Sequence, residues 1–323
     1  MKRIAVTIGD PGGIGPEVVV KALRSPELAG CIPVIIGDLA VVREALVAFG
    51  VSCTVHTIDS PAEAFSSPGV LWLYDCRQVS SFRKNASDAG NGSASVAYVR
   101  KAVRFATEKT VSAVVTGPIS KEALNLAGFP WPGHTEMLAD FTGTKDYAMM
   151  LAGGPLRVIL VSIHTALRNV PGLITRGSVL RTIRLAGRAC DMMGLENPRI
   201  AVAGLNPHAG EAGMFGDEER EAIGPAVEDA IKEGIPAEGP YPPDIVFYKA
   251  FRGECDIVVS MYHDQGLIPL KMIAFDSGVN VTVGLPIIRT SPDHGTAYDI
   301  AWKGVASPSS MIEAIGMATK LKL

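Results

Sequence analysis

Three of the six histidines in this chain come at the ends of short apolar runs, and such runs are typical of buried strands. The run at 158–163 precedes His164, the run at 199–205 precedes His208, and the run at 256–261 precedes His263. Open α/β sheets bind their ligands at the carboxyl ends of parallel strands. The sequence therefore predicts three imidazoles at one edge of a sheet.

Three neutral imidazoles with no fourth protein ligand form an open metal site, in which water or substrate takes the remaining position. The alternative is that the three strands lie far apart and that each histidine packs or caps locally, since histidine has many structural uses. The residues alone leave both interpretations open.

A glycine-rich segment, GDPGGIGPE at residues 9–17, follows the first apolar run and precedes a predicted helix with Pro16 at its first position. Free backbone amides at such a helix start can bind a phosphate. The spacing matches neither the dinucleotide fingerprint nor a Walker loop, so it identifies no cofactor-binding residue. A tight connection between strand and helix explains the glycines equally well.

Several other side chains are placed where they could bind an anion. His134 and Thr135 begin a predicted helix, although Thr135 could simply cap it. Lys271, Asn280 and Arg289 are a candidate oxyanion-binding set, because lysine and arginine supply charge-assisted donors and asparagine fixes orientation.

Lys121 begins another predicted helix, directly after the strand at 113–116. A lysine in a first helical turn opposes the helix dipole, which indicates a further duty such as reaching into a cleft. A solvated surface lysine is the alternative.

The elements that position these residues alternate between strands and helices, which predicts an α/β protein. The length of 323 residues favours two lobes, and 47% hydrophobic with 20% charged residues predicts a well-packed fold. A net charge of -3 gives no reason to propose nucleic acid or a membrane surface as partner. Five scattered cysteines exclude a disulfide framework, and the short first apolar run is neither a signal peptide nor a membrane span, so we expect a cytoplasmic protein.

Six blocks in collinear order resemble the 4-hydroxythreonine-4-phosphate dehydrogenase family of vitamin B6 biosynthesis. They cover nearly the whole chain: GDPGGIGPE at 9–17, TGPISK at 116–121, GHTE at 133–136, NPHAGE at 206–211, MYHDQG at 261–266 and RTSPDHG at 289–295. The resemblance implies two α/β/α lobes with a cleft between them, similar to isocitrate and isopropylmalate dehydrogenases. The implied lobes are 1–132 plus 280–323, and 133–279 with the dimer contacts.

The resemblance also implies the chemistry. The family oxidises 4-phosphooxy-threonine with NAD or NADP, and the product loses carbon dioxide to give 3-amino-2-oxopropyl phosphate. The family acts as a homodimer with the site at the subunit interface, where both subunits contribute metal ligands. The roles implied by matching motifs are metal binding (zinc, magnesium or cobalt) by His164, His208 and His263; substrate binding by His134, Thr135, Lys271, Asn280 and Arg289; and proton transfer or a contribution to the partner's site by Lys121, Asp264 and Asp244.

Three alternatives remain at this point. Close relatives with the same motifs act on phosphorylated sugar acids such as threonate 4-phosphate. A metal-dependent hydrolase would use the same histidines to activate water. A non-catalytic phosphate-binding protein would leave the strand-end histidines without a purpose.

Overall fold

The computed structural model describes all 323 residues, Met1–Leu323, and the chain forms two compact units. Unit 1 consists of Met1–Lys145 and Leu285–Leu321, and unit 2 consists of Asp146–Gly284 and Lys322–Leu323. Each unit contains strands and helices, so the predicted α/β class is confirmed. No helix combines the length and the apolar character that crossing a membrane requires.

Unit 1 contains six parallel strands, numbered in chain order along the whole protein. They are β1 (Lys2–Thr7), β2 (Cys31–Gly37), β3 (Thr54–Thr57), β4 (Val70–Asp75), β5 (Ala113–Thr116) and β12 (Arg289–Pro292). Their order across the sheet is β3-β4-β2-β1-β5-β12. β1 and β2 are central and almost fully buried, as their continuous apolar sequences predict.

The helices of unit 1 connect these strands. They are α1 (Gly15–Ala22), α2 (Leu39–Ala48), α3 (Ala89–Thr107), α4 (Lys121–Leu126), α5 (His134–Thr142) and α11 (Ser309–Lys320). The long helix α3 begins where the Asp88 carboxylate accepts hydrogen bonds from the amides of Gly90 and Asn91.

Unit 2 contains a mixed set of six strands. They are β6 (Ala148–Gly153), β7 (Leu156–Leu160), β8 (Ile200–Ala203), β9 (Ala237–Tyr241), β10 (Ile257–Ser260) and β11 (Val279–Val283). Their order is β11-β6-β7-β10-β8-β9. β6 is antiparallel to both of its neighbours, whereas β7, β10, β8 and β9 are parallel. The carboxyl ends of β7, β10 and β8 therefore meet at one edge.

The helices of unit 2 are α6 (Val170–Leu173), α7 (Arg176–Met193), α8 (Gly224–Lys232), α9 (Pro243–Phe251) and α10 (His263–Ala274). α7 begins with a capping box formed by Thr175 and Ser178, and it ends at Gly194 in the left-handed conformation. The core of the unit packs β7, β8 and β10 against α9 and α10, with Val158, Val258 and Leu270 fully buried.

The unit boundaries differ from the predicted lobe boundaries of 132/133 and 279/280. Helix α5 belongs to unit 1, because it packs against α3. Strand β11 belongs to unit 2, because it pairs with β6 along its whole length.

Candidate functional site

His164 and His263 lie side by side at the carboxyl edge of the unit 2 sheet. His164 lies four residues after the end of β7, and His263, the first residue of α10, lies three residues after the end of β10. Since β7 and β10 are paired and parallel, both histidines leave the sheet at the same edge. Their ring centroids are 5.6 Å apart with planes at 44°. Both rings line a cavity of about 600 Å³.

A carboxylate orients one of these two rings. His263 Nδ1 lies 2.7 Å from Asp264 Oδ1. A proton on Nδ1 makes this a hydrogen bond donated to the carboxylate, and it leaves the Nε2 lone pair free to bind a cation. The geometry therefore gives Asp264 an orienting contact. The proton-transfer role predicted for Asp264 stays a prediction.

His208 lies on a backbone turn of unusual conformation. Every residue from His208 to Gly213 has positive φ, including the non-glycine residues His208 (54°), Ala209 (53°), Glu211 (43°) and Ala212 (57°). A left-handed turn costs a non-glycine residue roughly 1–2 kcal/mol. Strain of this size is maintained only where the surrounding structure holds it, and it is common at functional sites.

The three histidines do not form one cluster within a single chain. No group of three His, Cys, Asp or Glu side chains in the chain is arranged to hold a metal ion. The structure brings His164 and His263 together, whereas the ring of His208 lies 6.2 Å from the ring of Phe215. His208 follows β8 by five residues and lies on the left-handed turn. The metal-binding role of the three histidines, with ligands from both subunits, stays a prediction.

In unit 1, two polar groups of predicted site residues are buried: the Nε2 atom of His134 and the side chain of Arg289. The Nε2 atom of His134, the first residue of α5, is buried without a hydrogen-bond partner. Burial, and after it the nearby Arg289 cation, lower the pKa of His134 well below 6.5, so the ring is neutral. Thr135 beside it is buried, and α5 has no side-chain cap on its first amides.

Arg289 itself is only 1% exposed and lies in β12. Its Nε and one terminal nitrogen donate to Thr116 Oγ1 at 3.2 and 2.7 Å. Burial lowers the pKa of Arg289 to about 9, and the Glu136 carboxylate opposes that shift. A buried guanidinium that is still charged at neutral pH favours an anion as ligand.

The other predicted residues are distributed over both units. Lys271 lies in the last part of α10, and its Nζ atom is 5.9 Å from the centroid of the Phe275 ring. Asn280 lies on β11, and its Oδ1 atom is buried without a hydrogen-bond partner. Lys121 begins α4, and a Cβ atom on Gly133 would lie 4.0 Å from Lys121 Cε, so the lysine reaches the start of α5. Asp244 is an exposed residue in the first turn of α9. The roles of these residues stay predictions.

The glycine-rich segment 9–17 is packed closely against other parts of the same chain. A Cβ on Gly12 would lie 2.2 Å from the carbonyl oxygen of Arg83, and one on Gly15 would lie 2.1 Å from that of Ile8. The Gly12 amide donates to Asp10 Oδ1, and the Ile14 amide donates to the Thr296 carbonyl. These glycines therefore permit close packing, as the alternative interpretation held.

Sequence reasoning missed three buried polar residues, Asp10, Glu219 and Gln265. Asp10 accepts a hydrogen bond from the Tyr298 hydroxyl at 2.7 Å, and burial raises the pKa of its carboxyl. Glu219 and Gln265 are buried beside the histidine loops of unit 2. Polar residues beside glycine-rich turns were the only signal, and such residues are more often exposed.

A family model described as pyridoxal phosphate biosynthetic protein PdxA matches residues 29–318 of the chain. The chain belongs to the PdxA family. Family membership confirms the resemblance drawn from the six motifs, and it makes the chain a dehydrogenase. The hydrolase and binding-protein alternatives are therefore set aside.

Relatives in the PdxA family carry two different substrate names. The 4-hydroxythreonine-4-phosphate dehydrogenase of Desulfosudis oleivorans is 49% identical, covering 98% of this chain and 94% of its own. The D-threonate 4-phosphate dehydrogenase of Pectobacterium atrosepticum is 47% identical, covering 99% of both. Identity of this kind does not separate the two substrates.

Solved structures confirm the fold of this PdxA-family chain. The 4-hydroxythreonine-4-phosphate dehydrogenase of Klebsiella pneumoniae has a TM-score of 0.93 at 44% identity, covering 99% of this chain and 98% of its own. A β-decarboxylating dehydrogenase of Thermococcus kodakarensis has a TM-score of 0.50 at 19% identity, covering 98% of this chain and 82% of its own, which shows likeness of fold alone.

Proposed function

We propose that this enzyme oxidises the secondary alcohol of 4-phosphooxy-L-threonine with NAD or NADP, assisted by one divalent cation. The oxidised product loses carbon dioxide and gives 3-amino-2-oxopropyl phosphate for vitamin B6 biosynthesis. The observation that carries the proposal is the pair of His164 and His263, with Asp264 on Nδ1 of His263, beside a cavity in a chain whose relatives are named dehydrogenases.

The chemistry of the donor set fits a divalent cation. Among the cations predicted, imidazole nitrogens suit zinc or cobalt better than magnesium, which prefers oxygen ligands. His164 and His263 of one copy would hold the cation together with His208 of a second copy. A cation bound there would lower the pKa of the substrate hydroxyl and stabilise negative charge on its oxygen.

The residues of the chain would bind and orient the substrate. Arg289 and Lys271 would bind its anionic groups, because both supply charge-assisted donors. Neutral His134, with Thr135 and the first amides of α5, would add uncharged donors, and Asn280 would fix orientation. Proton transfer is assigned to Lys121 or Asp264, with Asp244 contributing to the partner's site. A bound nicotinamide would supply the hydride acceptor.

An exposed apolar face on unit 2 supports the proposed homodimer. Helices α9 and α10 contact each other and expose large apolar side chains around their surface: Tyr248, Phe251, Ile268, Met272 and Phe275. Large exposed apolar side chains grouped on two contacting helices favour a protein interface. A second copy on this face would place one subunit beside the helix that begins with His263. Light scattering would show a dimer, and replacement of Met272 by Glu should shift it towards monomer.

A second candidate substrate is D-threonate 4-phosphate, since a relative with that name is 47% identical over the chain. It carries a hydroxyl where 4-phosphooxy-threonine carries an amino group. The same oxidation and loss of carbon dioxide would follow, and the same anion-binding and metal-binding residues would serve it.

The test compares the two substrates, each with NAD and with NADP, after loading with zinc, cobalt or magnesium. We expect reduced nicotinamide to appear together with carbon dioxide released from substrate labelled at its carboxyl group. A chelator should abolish both signals, and restored metal should recover them. Absence of nicotinamide reduction in every combination would refute the proposal.

A further inference from the structure

Two buried polar side chains that the reaction does not use connect the strand ends of unit 2. Gln265, in the first turns of α10, accepts hydrogen bonds through Oε1 from the Met261 amide at 2.7 Å and from Ser260 Oγ at 2.9 Å. Its Nε2 donates to the Gly204 carbonyl at 2.8 Å. Gln265 therefore joins the end of β10, which leads to His263, to the end of β8, which leads to His208.

Glu219 binds the segment that follows the end of β8. Its Oε1 accepts hydrogen bonds from the amides of Leu205 and Asn206, each at 2.7 Å, and its Oε2 accepts one from Asn206 Nδ2 at 2.9 Å. Asn206 Nδ2 also donates to Glu218 Oε2 at 2.7 Å. The Glu219 side chain is only 6% exposed, so these hydrogen bonds compensate a buried carboxylate.

The left-handed turn that carries His208 packs onto the same carboxylate. A Cβ on Gly210 would lie 2.7 Å from Glu219 Oε2, and a Cβ on Gly204 would lie 3.0 Å from Oε1. The backbone therefore approaches the carboxylate closely at both glycines, before the turn and within it. Glu219 begins a single π-helical turn, Glu219–Ile223, a form that is frequent at functional sites.

We propose that Glu219 is a positioning residue: it holds the strained turn of His208 at a fixed place relative to the strand end of His263, and Gln265 supplies the connection between them. The proposal rests on the metal-binding role proposed for His208. Glu219 would contact neither the substrate nor the cation, and it would act only through the loop.

The experiment compares three variants of the full-length protein. Glu219→Ala removes all three hydrogen bonds of the carboxylate. Glu219→Gln retains one oxygen for the two amides but places a donor opposite Asn206. Glu221→Gln is the matched control, because Glu221 lies in the same π-helical turn with a 68% exposed side chain. Circular dichroism of each variant would establish that the fold is retained.

Three readouts then separate positioning from a merely structural role. Hydrogen exchange measured on peptides covering 204–216 should be faster in Glu219→Ala and unchanged in Glu221→Gln. Titration with Co²⁺ alone, followed by visible absorption, should show affinity weaker by about 10- to 100-fold in Glu219→Ala, with Glu219→Gln intermediate. The metal concentration for half-maximal activity should rise in parallel, whereas kcat at saturating metal changes less.

Unchanged Co²⁺ affinity in both Glu219 variants, with or without faster exchange, would overturn the proposal. If Glu219→Ala unfolds, Glu219→Gln alone provides the test. A Co²⁺ affinity of Glu219→Gln equal to that of the wild type would then overturn the proposal. Wild-type protein that binds Co²⁺ but reduces no nicotinamide would refute the proposed activity alone. Wild-type protein that binds no Co²⁺ would overturn both proposals.

Discussion

Replacement of Arg289 by Met should weaken substrate binding without destabilising the fold. The guanidinium is buried in β12 beside Thr116, and burial lowers its pKa from 12.5 to about 9. This difference, at about 1.4 kcal/mol for each pH unit, makes the charged form less stable here than in water by on the order of 5 kcal/mol. Methionine fills a similar volume and removes this cost.

The loss of function is estimated from the hydrogen bonds that Arg289 would donate to an anion. A hydrogen bond to a charged group contributes about 1.5–3 kcal/mol, so kcat/KM should fall roughly 10- to 150-fold. The melting temperature should stay equal or rise, because replacement of a buried charge by an apolar side chain is often neutral or stabilising.

The assay combines steady-state kinetics with thermal unfolding in the presence and absence of inorganic phosphate. Phosphate should raise the melting temperature of the wild type and have little effect on Arg289→Met, since a ligand stabilises only the state that binds it. Arg181→Met, at an exposed position on α7, is the control. A destabilised Arg289→Met with unchanged kcat/KM and unchanged response to phosphate would show that Arg289 is structural, which would refute the reasoning.

Three further predictions follow from burial and backbone geometry. His208→Ala should abolish metal retention measured by elemental analysis while the circular dichroism spectrum is unchanged, because the His208 side chain is exposed; full metal content would contradict this. Burial lowers the pKa of His134 below 6.5, so the unfolded chain binds a proton on this ring more readily than the folded chain, and the stability of the fold decreases as the pH drops below about 6.5. The melting temperature of His134→Gln should therefore decrease less than that of the wild type between neutral and acid pH. Equal decreases in the two proteins would contradict this prediction. Gly12→Ala should destabilise the protein by about 1–3 kcal/mol in denaturant unfolding, because its Cβ would lie 2.2 Å from the Arg83 carbonyl oxygen, whereas Gly30→Ala, with nothing within 4 Å, should be neutral.

The strands and their polar ends could be predicted from sequence, because continuous apolar runs and the residues that follow them are local features. His164 and His263 lie where that reasoning placed them, at the edge formed by β7 and β10. The path of the chain between Gly204 and Gly216 could not be predicted, since it includes non-glycine residues with positive φ and its start is hydrogen-bonded to the Glu219 carboxylate, which is a tertiary contact.

The loop at 80–91 shows the same limit. Its polar composition predicts an exposed and mobile segment, and most of its residues are exposed, but its last residue, Asn91, is fully buried in the first turn of α3. The Asn85 amide donates to the Gly12 carbonyl, and a single sequence does not show which distant segment supplies such a partner. The unit assignment of α5 differed from prediction for a related reason, because its packing on α3 is a tertiary contact.

The interrupted path of the chain through unit 1 determines the order in which the protein can be completed during synthesis. Strand β12 and helix α11 occupy the far end of the sequence but pack on β5, which is encoded more than a hundred residues earlier. Unit 2 lies between them, so nearly all of it leaves the ribosome before the last strand of unit 1. Until β12 is made, β5 lacks this neighbour, and that edge of the unit 1 sheet stays unpaired.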